Sequence, residues 1–175
     1  MIKEANKIAI IGGPGTGKTT LADNLGRILK LPIYHIDGIH HLKNWEVREK
    51  EERDKLILEK VNKPKWVIDG TYRSTIKNRI DACDIAIFLD YPSIAKLKGI
   101  LSRYFKLKGK ERSDMPGCKE RMSMTFIKFT LDWNKNKRKE VLSILEKSNK
   151  ALIFRNRRSL NKWYKENFGE KIKLD

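Results

Sequence analysis

The run IIGGPGTGKTT, residues 10–20, constrains this chain more than any other stretch. Glycines, a proline and a lysine lie between an apolar run, KIAII, and a helix-like run, KTTLADNLGRILK. The spacing Gly12-x-x-x-x-Gly17-Lys18-Thr19 completes the Walker A pattern, in its required context after a strand and before a helix. Glycines there let successive backbone N–H groups converge on phosphate oxygens with no Cβ in the way. The following helix adds the positive end of its dipole. Lys18 is expected to reach the outer phosphates, and the Thr19 hydroxyl suits magnesium. The whole turn, Gly12, Gly13, Pro14, Gly15, Thr16, Gly17, Lys18, Thr19 and Thr20, is therefore expected to hold ATP with Mg2+.

A turn of this kind needs a strand entering and a helix leaving, and the rest of the chain repeats that alternation. KIAIIGG, LPIYHID, KWVIDG, DIAIFLD and KALIFRN read as strands with nearly all-apolar interiors. Leu21, Leu25 and Ile28 fall at i, i+4, i+7 of a first helix. Leu56, Ile57 and Val61 mark the inner side of a charged second one. PSIAKLKGILSRYFKLKG reads as a basic helix with Pro92 near its start. SMTFIKFTLDWNKNKRKEVLSILEKSN reads as one long helix or two, and SLNKWYKENF as a closing one. KGKERSDMPGCKER has no apolar periodicity and reads as a loop. Alternating strands and helices predict a parallel sheet covered on both faces. At 175 residues the expectation is a single domain with a lid-like insertion at about 108–121.

No apolar run approaches the roughly 18 residues of a membrane span. The N-terminal apolar run reads as a strand rather than an export signal, because glycines follow it. Cys83 and Cys118 have no metal-type spacing. The expectation is a reduced, cytoplasmic protein.

The formal charge of +17 is unevenly spread. Residues 1–94 carry 16 Lys/Arg against 13 Asp/Glu, whereas residues 95–175 carry 23 against 9. Polyanions are natural partners of such a half, DNA among them. Basic and aromatic residues interleave in LSRYFKLKGK and RNRRSLNKWYKENF, a pattern compatible with single-strand binding. Tyr104, Phe105, Trp163, Tyr164 and Phe168 also fit ordinary amphipathic helices, and no base-reading motif is present.

Ligands of open parallel sheets lie beyond the carboxyl ends of the strands. Asp37, Asp69 and Asp90 all fall at such ends. Asp37 and Asp69 suit the waters of a phosphate-bound magnesium, and Asp37 equally suits an acceptor hydroxyl. His35, His40 and His41 cluster near Asp37 without a zinc-type pattern, which favours substrate-facing or packed histidines.

VIDGTYRST, residues 67–75, resembles the DGxPR segment of adenylate kinases, with Arg73 in place of the arginine that holds the acceptor's phosphate and Tyr72 in place of the proline. A planar fork of donors suits such an anion. Over residues 8–154, HIDGIHHLKNW, WVIDGTYRS, DIAIFLDYP and KGKERSDMPGCKER resemble the bacterial DNA topology modulation proteins, or FlaR-related proteins. These are P-loop NTPases similar to adenylate and shikimate kinases. The resemblance implies a three-layer α/β fold with a five-stranded parallel sheet, helices on both faces and a small lid. It implies Lys18, Asp37, Asp69 and Arg73 in catalysis. Lids of similar kinases close arginines over the transferring phosphate. Arg103, Arg112, Arg121 and Arg138 are the candidates, with Arg112 the catalytic choice. Asn156 and Arg157 follow the fifth strand, where similar kinases touch adenine.

The sequence thus points to a monomeric or dimeric ATP-dependent phosphotransferase acting on a small acceptor. The alternative is a nucleotide-binding protein that associates with DNA.

Overall fold

A computed structural model describes residues 2–173. The central sheet contains β1 (Lys7–Gly12), β2 (Ile33–His35), β3 (Trp66–Asp69), β4 (Ile85–Leu89) and β7 (Ala151–Phe154). Its order is β2-β3-β1-β4-β7, and every pairing is parallel. The Walker A strand is therefore central, with its carboxyl end opening between neighbours on both sides.

Strand periodicity of two explains the layers. Ile8 and Ile10 pack on one face with Leu21 and Leu25 of α1 (Lys18–Leu29) and Leu160 and Tyr164 of α8 (Arg157–Phe168). Ala9 and Ile11 point the other way. They meet Ile57 of α3 (Lys50–Val61), Ile76 and Ile80 of α4 (Arg73–Ala82), and Val141 and Leu145 of α7 (Arg138–Glu146). Each fully buried Leu or Ile contributes roughly 1.5–3 kcal/mol. Ile57 and Val61 are buried as expected, whereas Ile28 and Leu56 are only half-buried. The β7 edge is less covered, with Ile153 exposed.

The second strand is shorter than the sequence suggests. Its partner β3 ends at Asp69, opposite His35, so residues beyond His35 have no ladder to join. They turn into α2 (Ile36–His40), which puts Asp37 in a helical first turn rather than at a strand end. An acidic residue there is favoured by the helix dipole.

The expected lid loop is a hairpin. β5 (Glu111–Arg112) and β6 (Met115–Lys119) pair antiparallel across Ser113 and Asp114. A two-residue strand is too short to leave a periodic signal. The hairpin follows α5 (Ser93–Leu107) and precedes α6 (Met124–Asn136). The long stretch after the lid is two helices, α6 and α7, broken at Lys137, where φ is −122° and ψ −29°. Ser123 caps α6 by accepting from the Phe126 N–H at 3.1 Å. Among the described residues no helix is long and apolar enough to cross a membrane.

Candidate active site

The turn between β1 and α1 takes the shape its glycines permit. Gly15 and Gly17 have φ of +71° and +87°, a region open to glycine. The Thr16 hydroxyl and the Lys18 ammonium each donate to the Gly13 carbonyl at 2.9 Å. Thr71 ties the entrance of the turn to the end of β3. Its Oγ1 accepts from the Gly12 N–H at 3.0 Å and donates to the Gly12 carbonyl at 2.8 Å. Desolvation lowers the Lys18 pKa, against the pull of Asp37 and Asp69.

α5 is seated directly on this turn. A Cβ on Gly99 would lie 2.0 Å from the Gly15 carbonyl oxygen, and one on Gly15 would lie 2.2 Å from the Lys96 carbonyl oxygen. Lys96 is fully buried beside Gly13, its Nζ donating to Asn134 and lying 4.6 Å from the Trp133 ring centroid. Burial pushes its pKa down to about 8.

Thr19, Asp69 and His35 form a chain. The Thr19 hydroxyl donates to Asp69 Oδ2 at 3.2 Å, and His35 Nδ1 lies 2.7 Å from Asp69 Oδ1. The other His35 nitrogen is 3.2 Å from Asp23. Burial disfavours charge on His35, but the bonds to Asp23 and Asp69 outweigh it and raise its pKa to about 10. His35 is thus an imidazolium that fixes the Asp69 carboxylate behind Thr19.

The lid closes the front. Arg112 holds Asp114 through two bonds, Nε at 3.0 Å and Nη2 at 2.6 Å, and lies 4.0 Å from Asp37. Asp114 reaches back to Thr19 Oγ1 at 3.4 Å. Burial would raise the Asp114 pKa, but Arg112 wins and holds it below the ordinary carboxylate value. Arg103 of α5 pairs with Glu120 at 3.1 Å. The hairpin rests on the segment after α2. Trp45 Nε1 donates to the Lys119 carbonyl at 2.9 Å, and the Cys118 thiol donates to the Leu42 carbonyl at 3.1 Å.

These groups line one cleft of about 1230 Å³, together with Arg157 and Asn156 at the foot of α8. Of the residues chosen from sequence, it collects Gly12, Pro14, Gly15, Gly17, Lys18, Thr19, Thr20, Asp37, Arg103, Arg112, Arg121, Asn156 and Arg157. Asp69 joins through Thr19. Asn156 also caps α8, accepting from the Ser159 N–H at 2.8 Å.

Two arginines go elsewhere. Arg73 is the first residue of α4, and its Nε donates to Glu140 of α7 at 2.7 Å. It lines a hollow of about 360 Å³ that shares Thr71, Tyr72, Phe129 and Trp133 with the cleft. Arg138 makes two bonds to Asp90, at 2.6 and 2.7 Å, so this strand-end carboxylate anchors α7 instead of a ligand.

Sequence reading missed Thr71, Tyr72, Asp114 and Arg79 as contributors. The Tyr72 hydroxyl donates to Asp37 Oδ1 at 3.1 Å. Arg79 is fully buried, donates to the Gly70 and Tyr72 carbonyls at 2.7 and 3.0 Å, and so shapes the segment carrying Thr71. A signal was present: Ile76, Arg79 and Ile80 fall at i, i+3, i+4, which puts Arg79 on the buried stripe of α4.

The donor set fits magnesium. Thr19, Asp69, Asp37 and Asp114 present oxygens, the hard ligands this ion takes. Among the described residues no three acidic, histidine or cysteine side chains converge to cage a metal.

A family model described as "ATPase family associated with various cellular activities (AAA)" matches residues 8–76, the part containing the Walker A turn and β3. The fold is similar to shikimate kinase from Acinetobacter baumannii in complex with shikimate, with a TM-score of 0.61, 16% identity and 98% of each chain covered. It is also similar to a gluconokinase from Sinorhizobium meliloti 1021, with a TM-score of 0.56, 13% identity and 94% and 90% of the two chains covered. Shikimate kinase from Bacteroides thetaiotaomicron gives a TM-score of 0.55, 16% identity and coverage of 95% and 99%. No curated protein sequence matches the chain. At these identities the likeness is one of fold. The chain has the P-loop kinase fold, with a complete Walker A turn at the end of its central strand.

Proposed function

We propose that this protein is an ATP-dependent phosphotransferase that moves the γ-phosphate of magnesium-ATP to a small acceptor. The observation carrying this reading is the Thr19–Asp69 bond at 3.2 Å, formed in a cleft that also holds Lys18, Asp37 and the lid residue Arg112. Magnesium-ATP would supply an activated phosphoryl group with its charge partly neutralised.

The chain's part is positioning and electrostatics. Backbone N–H groups of residues 12–20 and the Lys18 ammonium grip the polyphosphate. Thr19 and Asp69 hold magnesium and its waters, with His35 keeping Asp69 oriented. Asp37 orients the acceptor. Arg112 and Arg103 face the transferring group and exclude water once the lid is down. Arg157 and Asn156 lie where the base of the donor would rest. Arg73 and Arg138 carry no role in this scheme.

Release of ADP against a panel of small acceptors tests the reading. Lys18→Ala should remove ATP binding and all turnover while leaving the melting temperature within a few degrees. If Lys18→Ala leaves salt-sensitive DNA binding intact and no acceptor turns over in the native protein, the transferase reading fails. Association with DNA, as the basic second half and the topology-modulation resemblance suggest, then takes its place.

A further inference from the structure

The cleft continues past Asp37 into a wall of rings. His40 and His41 meet edge to face with centroids 4.5 Å apart, His40 lies 5.0 Å from Tyr72, and His41 lies 5.2 Å from Trp45. All four line the same cleft as Lys18 and Asp37. Burial, with His41 as neighbour, lowers the His40 pKa, and burial lowers that of His41. Burial thus favours the neutral form of both rings. The Nδ1 atoms of His40 and His41 are buried with no hydrogen-bond partner.

The backbone presenting this wall is strained. Asn44 and Trp45 have φ of +58° and +67°, a region that bulky side chains avoid. Such conformations persist where the surroundings over-determine them, commonly at binding sites. Here the strain turns the indole to face the lid and the cleft.

Charge limits what can lie beside Asp37. Arg112 is paired with Asp114, Arg103 with Glu120, and Arg53 with Asp54 at 2.7 Å. Arg121 lies over the Trp45 ring, 4.3 Å from its centroid, and keeps its charge. Asp37 adds negative charge at the point of transfer. A carboxylate or phosphate presented there meets a like charge, whereas a neutral planar molecule bearing a hydroxyl does not, and it gains stacking on the rings.

Resting on the phosphotransferase reading, we infer that the acceptor is a nucleoside, its base against His40, His41, Trp45 and Tyr72 and its sugar hydroxyl at Asp37. In the transfer Asp37 accepts the hydroxyl proton as that oxygen bonds to the γ-phosphorus. The bridging P–O bond breaks with its electron pair leaving on ADP. The products are ADP and a nucleoside monophosphate.

Equilibrium binding to the full chain without ATP separates the possibilities, because it does not depend on turnover. Isothermal titration with the common nucleosides, their 5′-monophosphates, shikimate and gluconate should show at least one nucleoside binding more tightly than its own monophosphate and than either acid. Trp45→Leu should weaken that nucleoside at least tenfold and leave ATP affinity unchanged, which also verifies folding. Trp45→Phe removes the bond to Lys119 but keeps a ring, and should retain most of the affinity. Tighter binding of a monophosphate or either acid overturns the inference, as does binding by no nucleoside or an unaffected Trp45→Leu. Turnover of gluconate or shikimate would sink this acceptor and leave the phosphotransferase reading standing.

Discussion

Replacing His35 with glutamine removes a charge and keeps a polar side chain of similar reach. In the native chain His35 bridges Asp23 of α1 and Asp69 of β3, at 3.2 and 2.7 Å, and its side chain is only 19% exposed. Its pKa is raised to about 10 in the fold, against about 6.5 in an unfolded chain. A raised pKa means that the folded state binds the proton more tightly. The associated stability is fully present below the unfolded value and is lost as pH rises through the folded one. Between those values the unfolded state holds fewer protons, so the stability from this residue falls with pH. Linkage gives about 5 kcal/mol at pH 6, about 3 kcal/mol at pH 8 and less than about 1 kcal/mol at pH 10. Urea unfolding of the native chain and His35→Gln across that range measures the difference at each pH. Titrations elsewhere, such as that of Lys96, occur in both proteins and cancel. The gap should narrow steadily from pH 6 to pH 10. A gap of constant size would mean that His35 is not an imidazolium, and the account of how Asp69 is held behind Thr19 would fall with it.

Gly99→Ala places a methyl group 2.0 Å from the Gly15 carbonyl oxygen, and α5 or the turn must shift. Overpacking of this kind costs about 1–3 kcal/mol; the midpoint in urea should fall and ATP affinity should drop with it. Arg73→Ala loses an exposed pair with Glu140, a contact of at most about 1 kcal/mol. Nucleotide affinity and phosphoryl transfer should be unchanged in that variant, and a selective loss of transfer would return Arg73 to the acceptor site.

The phosphate turn was legible because all its parts lie within nine residues and its chemistry is backbone chemistry. The parallel sheet was legible because buried strands need apolar interiors on both faces. Legibility ended where partners come from distant segments. Asp114 meets Thr19 across 95 positions of sequence, and nothing in RSDMPGC declares that contact. Arg73 stood out because its distance from Asp69-Gly70 matches a known spacing, while the direction of its side chain, toward Glu140 on α7, is visible only in the fold. Asp90 shows the same gap. A carboxylate at a strand end is visible in sequence, but the arginine that occupies it, Arg138, arrives from 48 positions away. The ring wall was in plain view as HIDGIHHLKNW. Its meaning depended on Tyr72 lying beside His40, which only the fold supplies.

The seating of α5 also bears on how the molecule admits its ligands. At 15 residues the helix is about 22 Å long, and near its start it is wedged against the Walker turn with no slack. Its far end gives way at Gly109, where φ is +74° and a Cβ would touch nothing. On the return side, residues 121–123 have no regular structure. A movement of the hairpin would therefore begin beyond the end of the rod and leave the anchored end in place. On the phosphotransferase reading, one half of the reaction could then be loaded without disturbing the phosphates clamped by the other.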